Sequence, residues 1–345
     1  MSALLTGKPY GDRDDTALLT EMRQLTEKHF DRFPAYGRIW SEWKGAGSFE
    51  ELPWLHVGIF KTKLFDQAGR ASRVLLSSGT SSSAQSRIVL DEEGSRLQGE
   101  SVLAILSDFI SERDVPLVVV DNARSLRHGG SVSARVAAAL SLRGLSSEMT
   151  FVLADPDDPT SVRWPELAEL LSRSESVLIY GFTSALWDAF GESEVPGTIA
   201  DLLRSTRVGF VHSGGWKKLE SRSVDPKRFV ERLLSKVADG STVTDFYGLV
   251  EQVGLIFPLC EASFRHVPRW AEVLVRDPWT LESLTDDDGL LQLMNPLALS
   301  MPFHSVLTED LGRVVSGECH CGRKGHRFVL RGRVPKAEIR GCANI

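Results

Sequence analysis

Hydrophobic positions along the chain recur at two spacings. Between residues 14 and 46, Leu18, Leu19, Met22 and Leu25, then Phe30 and Phe33, recur at roughly helical steps, with Glu21, Arg23, Glu27 and Lys28 interleaved. That pattern predicts helix with one buried and one solvated face. A loop through Gly45, Gly47 and Pro53 follows it. From residue 74 the pattern becomes short apolar runs. Val74–Leu76 predicts a strand, a Ser/Gly/Thr-rich turn follows, and Arg87–Leu90 predicts a second strand. Strands then alternate with helices. Helices are predicted at 95–110, 131–143, 165–173, 183–190, 198–204 and 226–238. Strands are predicted at 115–121, 150–154, 176–181, 207–212 and in a run ending at Tyr247. Such alternation predicts α/β architecture with a largely parallel sheet. Past about residue 260 the helical spacing disappears. Short strands at 272–276, 289–295, 304–308, 312–315 and 327–331, separated by turns such as DDDG and TEDLG, predict a β-rich C-terminal part.

Composition narrows the function classes. A chain of 345 residues buries at least one full core. The 40 basic against 46 acidic residues give a net charge of −6, which argues against coating nucleic acid. No apolar run reaches membrane-spanning length, and the N-terminus shows no secretory h-region. The expectation is a soluble, cytoplasmic protein without a membrane span. Four cysteines are too few for a disulfide scaffold. Cys260, Cys319, Cys321 and Cys342 all fall in the last quarter, which suggests a local task.

Five constellations carry candidate chemistry. Ser77-Ser78-Gly79-Thr80-Ser81-Ser82-Ser83, between two strands, offers N–H and O–H donors to phosphate oxygens. It is also what a plain flexible loop looks like. Ser213-Gly214-Gly215 follows a strand directly, where open α/β sheets bind ligands. Two glycines there admit a planar base, or make an ordinary turn. Tyr247-Gly248 with Glu251 suits stacking on a substrate and holding Mg²⁺, which takes one or two carboxylates plus phosphate oxygens. The bland alternative is a strand leading to a solvated glutamate. In Thr308-Glu309-Asp310-Leu311-Gly312, an aspartate placed in a turn would accept both hydroxyls of a ribose. Equally, the stretch reads as a common Asp/Gly turn. Cys260-x₅-His266 with Cys319-x-Cys321 makes a Cys₃His set, the closed kind typical of structural Zn²⁺. His320 and His326 compete as ligands, and two half-buried cysteines beside a surface histidine are the alternative.

In this order the motifs resemble the adenylate-forming superfamily, and most closely the LuxE-type acyl-protein synthetases. The chain is similar, more distantly, to phenylacetate–CoA ligases and coenzyme F390 synthetases. The residues that carry this are LPWLHVGIFKT near 52, LLSSGTSSSAQSRIVLD at 75–91, HSGGWKKLE at 212–220, DFYGLVEQVGLIFP at 245–258, the CxxxxxH stretch from Cys260 to His266, then TEDLG, ECHCGRKG and the terminal RGC. The resemblance covers roughly residues 50–345.

The fold it implies is a large adenylate-forming (ANL-like) α/β domain of layered sheets and helices at 51–335, with a β-rich subdomain from about 260. Residues 1–50 would precede it as a helical segment. A hinge-like tail at 336–345 would carry Cys342, and the small C-terminal lid domain is expected to be absent. For the site, the resemblance implies that Ser77–Ser83 close over the phosphates of ATP. Ser213–Gly215 lie beside the adenine, and Tyr247 and Gly248 line the boundary with the acid. Glu251 binds Mg²⁺, and Asp310 with Arg333 holds the ribose. The loop lacks the lysine of many superfamily members, Arg87 being the nearest cation. Cys342 would take the acyl group as a thioester, with Arg340 favouring its thiolate. An acyl-CoA-reductase-type (LuxC-like) or carrier protein would then accept it. Direct transfer to coenzyme A, a carrier or an amine, and a non-catalytic scaffold, are the alternatives. Neither the acid, a fatty acid by family, nor the oligomeric state is fixed by these residues.

Overall fold

The computed structural model describes residues 5–65, 71–77, 85–126, 131–216 and 221–334. The described residues of Met1–Ile105 and Leu249–Ile345 form one compact unit, and those of Leu106–Gly248 form another.

The second unit is the predicted α/β part. Thr242–Gly248, Arg207–Ser213, Ser176–Phe182, Val115–Val119 and Ser146–Phe151 lie side by side in that order, all parallel. The near-continuous apolar runs of Arg207–Ser213, Ser176–Phe182 and Val115–Val119 are what a strand buried on both faces requires. Helices Trp164–Ser172, Gly197–Ser205 and Pro226–Leu234 close the crossovers. Leu167, Leu171, Ile199, Leu203, Phe229 and Leu233 are buried against Val118, Ile179, Val208 and Phe210 of the strands. The stretch predicted as helix at 183–190 is a short helical turn, Thr183–Leu186, that widens into a π-helical turn at Trp187–Glu192.

The first unit holds the β-rich part. Among the described residues, Arg265–His266, Arg327–Arg333, Ser305–Val315, Gly289–Met294, Glu272–Arg276 and Ser283–Leu284 are hydrogen-bonded in that order, antiparallel. Leu55–His56 adds to Ser305–Val315 in parallel. The predicted break at TEDLG is not a turn. Residues 305–315 form one strand, with a register shift between Leu311 and Gly312. Glycine is needed at 312 by close approach, because a Cβ there would lie 2.7 Å from the Val329 carbonyl oxygen.

The N-terminal pattern forms the helix Asp15–Arg32, capped by Asp14, whose carboxylate accepts from Ala17 N–H. It stops before Pro34, which starts a second helix, Pro34–Ile39, so the predicted segment is two helices. Both helices dock through buried polar groups. Thr26 Oγ1 lies 3.0 Å and Tyr36 Oη 3.2 Å from His304 Nε2, and His29 Nε2 lies 2.8 Å from the Ala298 carbonyl. Burial pushes His29 down to about 4, and His304 well below its usual 6.5, so both are neutral packing groups. No described helix is long and apolar enough to cross a membrane.

Candidate functional site

In the parallel sheet, the register places Phe182, Ser213 and Phe246 abreast at the carboxyl ends of three neighbouring strands. Ser213 ends its strand, and Gly214 and Gly215 follow with φ of +84° and +55°. Only glycine takes two such values in succession without strain. At Gly214 space matters too, since a Cβ would sit 3.3 Å from the Phe182 ring. Thr183 lies beneath this turn. Its Oγ1 is 3.0 Å from His212 Nδ1 and 3.3 Å from the Ser213 carbonyl oxygen. Both contacts are satisfied when His212 Nδ1–H donates to Thr183 and Thr183 donates to Ser213. Asp245 Oδ1 lies 3.7 Å from the same imidazole nitrogen. Tyr180 stacks on Phe246 with ring centroids 6.5 Å apart. Tyr247 and Gly248 finish the next strand, Tyr247 half-buried and Gly248 exposed.

The other unit gathers the remaining described candidates. Ser77 closes the base of the hairpin Arg73–Leu76/Arg87–Leu90. Its N–H donates to Ser86 O at 3.0 Å, and its Oγ accepts from Ser86 N–H at 2.9 Å. Glu251 sits in the one-turn helix Val250–Gln252 and is buried. Burial pushes its carboxyl above the ordinary 4.5, while the Ser86 hydroxyl and the charges of Lys61 and Arg333 pull it back. A single buried carboxylate with a hydroxyl beside it fits the sparse donor set of a phosphate-bound Mg²⁺. Asp310 pairs in register with Arg333, whose Nε lies 3.2 Å from its Oδ1. The Asp310 N–H donates to Thr308 Oγ1 at 3.1 Å, which fixes the backbone that presents the carboxylate.

The Glu251 turn is locked from behind. Gln252 donates to Phe303 O and accepts from Asn295 Nδ2 at 2.8 Å. Gly254, at φ +88°, lies against Gln98 so closely that a Cβ would fall 1.5 Å from Gln98 Oε1.

The predicted metal set also comes together. The ligand atoms of Cys260, His266, Cys319 and Cys321 all lie within 4.8 Å of one another. Burial pushes the Cys260 thiol up to about 11. At Cys321 burial opposes ionisation, but hydrogen bonds from Arg323 and the neighbouring thiols outweigh it, and the thiol is lowered. His326 is not in the set; its Nδ1 pairs with Glu272 at 2.9 Å.

Ser78, Gly79, Thr80, Ser81 and Ser82 of the phosphate loop, and Cys342 with Arg340, lie outside the described residues. Ser86, Phe182 and Thr183 carry no site assignment from sequence, and Lys61 stands out there only as a residue of the family-like GIFKTK stretch, without a role. Phe182 and Thr183 follow an apolar run, as pocket residues at a strand's carboxyl end do. Ser86 had no signal of its own.

No curated protein matches the sequence significantly. Among solved structures, the chain is similar to 2-hydroxyisobutyryl-CoA ligase in an open conformation, in complex with 2-HIB-AMP and CoA. The TM-score is 0.67 at 18% identity, covering 92% of this chain and 74% of that one. The same ligase in a postadenylation state with 2-HIB-AMP gives 0.65 at 17% identity, covering 93% and 68%. At such identities the likeness is one of fold, and the fold is that of adenylate-forming ligases. The profile described as "Acyl-protein synthetase, LuxE" matches residues 40–345. With that match spanning most of its length, the chain belongs to the LuxE acyl-protein synthetase family.

Proposed function

We propose that the chain activates a carboxylic acid with ATP, holds the acyl group on Cys342, and delivers it to an acyl-accepting protein of the reductase (LuxC-like) or carrier type. A fatty acid is the family-based substrate class. The observation that carries this reading is the pairing of Asp310 with Arg333, which two separate motifs supply and strand register sets opposite each other, Nε 3.2 Å from Oδ1.

In the first step a carboxylate oxygen attacks the α-phosphorus, the bond to the β-phosphate oxygen breaks, and pyrophosphate leaves with the electron pair. Mg²⁺ bound with ATP would neutralise phosphate charge, and Glu251 is the residue proposed to hold it. Ser213, Gly214 and Gly215 would flank the adenine, with Tyr247 and Gly248 at the edge toward the acid. Asp310 and Arg333 would take the ribose. Ser77, with the loop Ser78–Ser82, would donate to the phosphates, where preorganised donors count most. In the second step the Cys342 thiolate attacks the acyl carbonyl carbon. The bond to the AMP oxygen breaks and AMP leaves with the pair. The thiol proton goes to solvent.

The test is intact mass after incubation with ATP, Mg²⁺ and a panel of carboxylic acids, wild type beside Cys342→Ala. An acyl-sized gain and AMP release on wild type alone, with pyrophosphate released by both, is the expected result. AMP release without any gain moves the acceptor outside the chain, to coenzyme A, a carrier or an amine. No AMP with any acid sinks the proposed chemistry.

A further inference from the structure

One cluster of reactive side chains takes no part in these steps. Three thiols and an imidazole converge from separate stretches of the first unit. Cys260 Sγ and Cys319 Sγ are 3.9 Å apart, and Cys321 Sγ and His266 Nε2 are 3.2 Å apart. A disulfide needs sulfurs at about 2.05 Å, so the cysteines are thiols. A tetrahedral Zn²⁺, with Zn–S of about 2.3 Å and Zn–N of about 2.0 Å, sets its donors about 3.5–3.8 Å apart. The two measured pairs straddle that range. Mg²⁺ and Ca²⁺ take oxygen donors, and none belongs to the cluster.

We infer that Cys260, His266, Cys319 and Cys321 hold one four-coordinate structural Zn²⁺, and that this ion fastens the hairpin that carries Asp310 and Arg333. Binding forms three Zn–S bonds and one Zn–N bond, and the thiol protons pass to solvent. With four protein ligands there is no open position for substrate.

The placement explains the fastening. Cys260 and His266 flank a tight turn, in which Cys260 N–H donates to Phe264 O and Ser263 N–H donates to Cys260 O, both at 2.8 Å. Cys319 and Cys321 lie in the connection between the strands Ser305–Val315 and Arg327–Arg333, where Gly322 N–H donates to Cys319 O at 3.0 Å. The ion therefore ties that connection to the neighbouring strand, where His266 already pairs with Arg327. Tyr10 meets the His266 ring edge-on at 5.9 Å and holds its orientation. Arg327 helps by donating to Ser316 O and Gly317 O.

Along the same hairpin, Val315 opposes Arg327 at the metal end and Asp310 opposes Arg333 at the other. The separation is five residues, about 17 Å of strand. A two-stranded connection that loses its clamp frays from that end. The effect on the Asp310–Arg333 pair rests on the nucleotide reading above; the metal site itself does not.

The experiment begins with metal analysis of the full chain purified without chelator, then Co²⁺ exchange. One zinc per chain is expected. The Co²⁺ form should show tetrahedral d–d bands and intense thiolate-to-cobalt charge transfer. Chain that carries no zinc and takes up no Co²⁺ overturns the site, as does Cys321→Ser with zinc content and Co²⁺ spectrum unchanged. The wild-type zinc content and Co²⁺ spectrum depend neither on activity nor on a variant folding. Stripping zinc from wild type should raise the KM for ATP in pyrophosphate exchange several-fold, with re-added Zn²⁺ restoring it. Zinc lost with KM unchanged overturns the fastening. A zinc-loaded chain that exchanges no pyrophosphate with any acid leaves the metal site standing and counts against the nucleotide reading alone.

Discussion

Thr183 offers the sharpest test of how the fold sets the glycine turn proposed to hold adenine. Thr183→Val keeps the shape and removes one hydroxyl. That hydroxyl touches His212 Nδ1 at 3.0 Å and the Ser213 carbonyl at 3.3 Å, and Thr183 and His212 are both buried. Taking one partner from a buried polar group costs about 1–3 kcal/mol. Part of that cost falls on stability. The rest falls on the Ser213–Gly214 peptide, which loses the group that fixes its carbonyl and hence, across a planar trans bond, the Gly214 N–H. If about 1 kcal/mol of it is felt by the nucleotide, ATP affinity drops roughly fivefold, since 1.4 kcal/mol is tenfold. The assay is ATP–pyrophosphate exchange at saturating acid for wild type, Thr183→Val and Thr183→Ser. KM for ATP should rise about three- to tenfold in the valine variant, with kcat nearly unchanged and the serine variant close to wild type. A valine variant with a lowered Tm but the wild-type KM would show that the hydroxyl serves packing alone.

Three further outcomes follow from the same coordinates. Gly254→Ala must adopt φ +88° and displace Gln98, whose Nε2 donates to Leu297 O, so urea unfolding should show a loss of about 2–5 kcal/mol. Glu251→Gln should abolish Mg²⁺-dependent exchange without lowering Tm. The Glu251 pKa is raised above 4.5 in the fold, so its contribution to stability is complete below 4.5 and is lost as pH rises through the folded value. The glutamine variant should therefore gain on wild type as pH climbs through that window; a gap that shrinks would refute the burial argument. Glu272, buried between Arg13 Nη2 at 2.6 Å and His326 Nδ1 at 2.9 Å, holds His326 above its usual 6.5. That contribution is complete below 6.5 and is lost as pH rises through the raised value, so His326→Ala should cost more stability in acid than in alkali. Thermal melts across pH check it.

Periodicity is a local property, and what it made legible was local. Apolar runs of strand length alternating with helical spacing gave the parallel unit. The disappearance of helical spacing near 260 gave the β-rich part. Unusual local chemistry also marked candidates, such as the two glycines after a strand and the C-x-C pair. TEDLG misled, because Asp and Gly are turn formers in isolation. In the fold, Thr308 Oγ1 donates to Leu291 O and Gly312 fits under Val329 O, so the segment stays paired as a bulged strand. Pro34 likewise split a helix that the apolar spacing alone ran on.

The sequence by itself determined which elements form and which residue types carry chemistry, because capping, turn formation and burial pattern act over a few residues. Only the tertiary structure decided which of those residues meet. Arg333 reaches Asp310 because two antiparallel strands share a register. Cys260 lies 3.9 Å from Cys319 because a third strand, Arg265–His266, pairs along the same hairpin. Thr183 reaches His212 and Ser213 only because parallel register sets the strand before it, Ser176–Phe182, beside Arg207–Ser213. Register is fixed by the packing of whole sheets, and no window of sequence contains it.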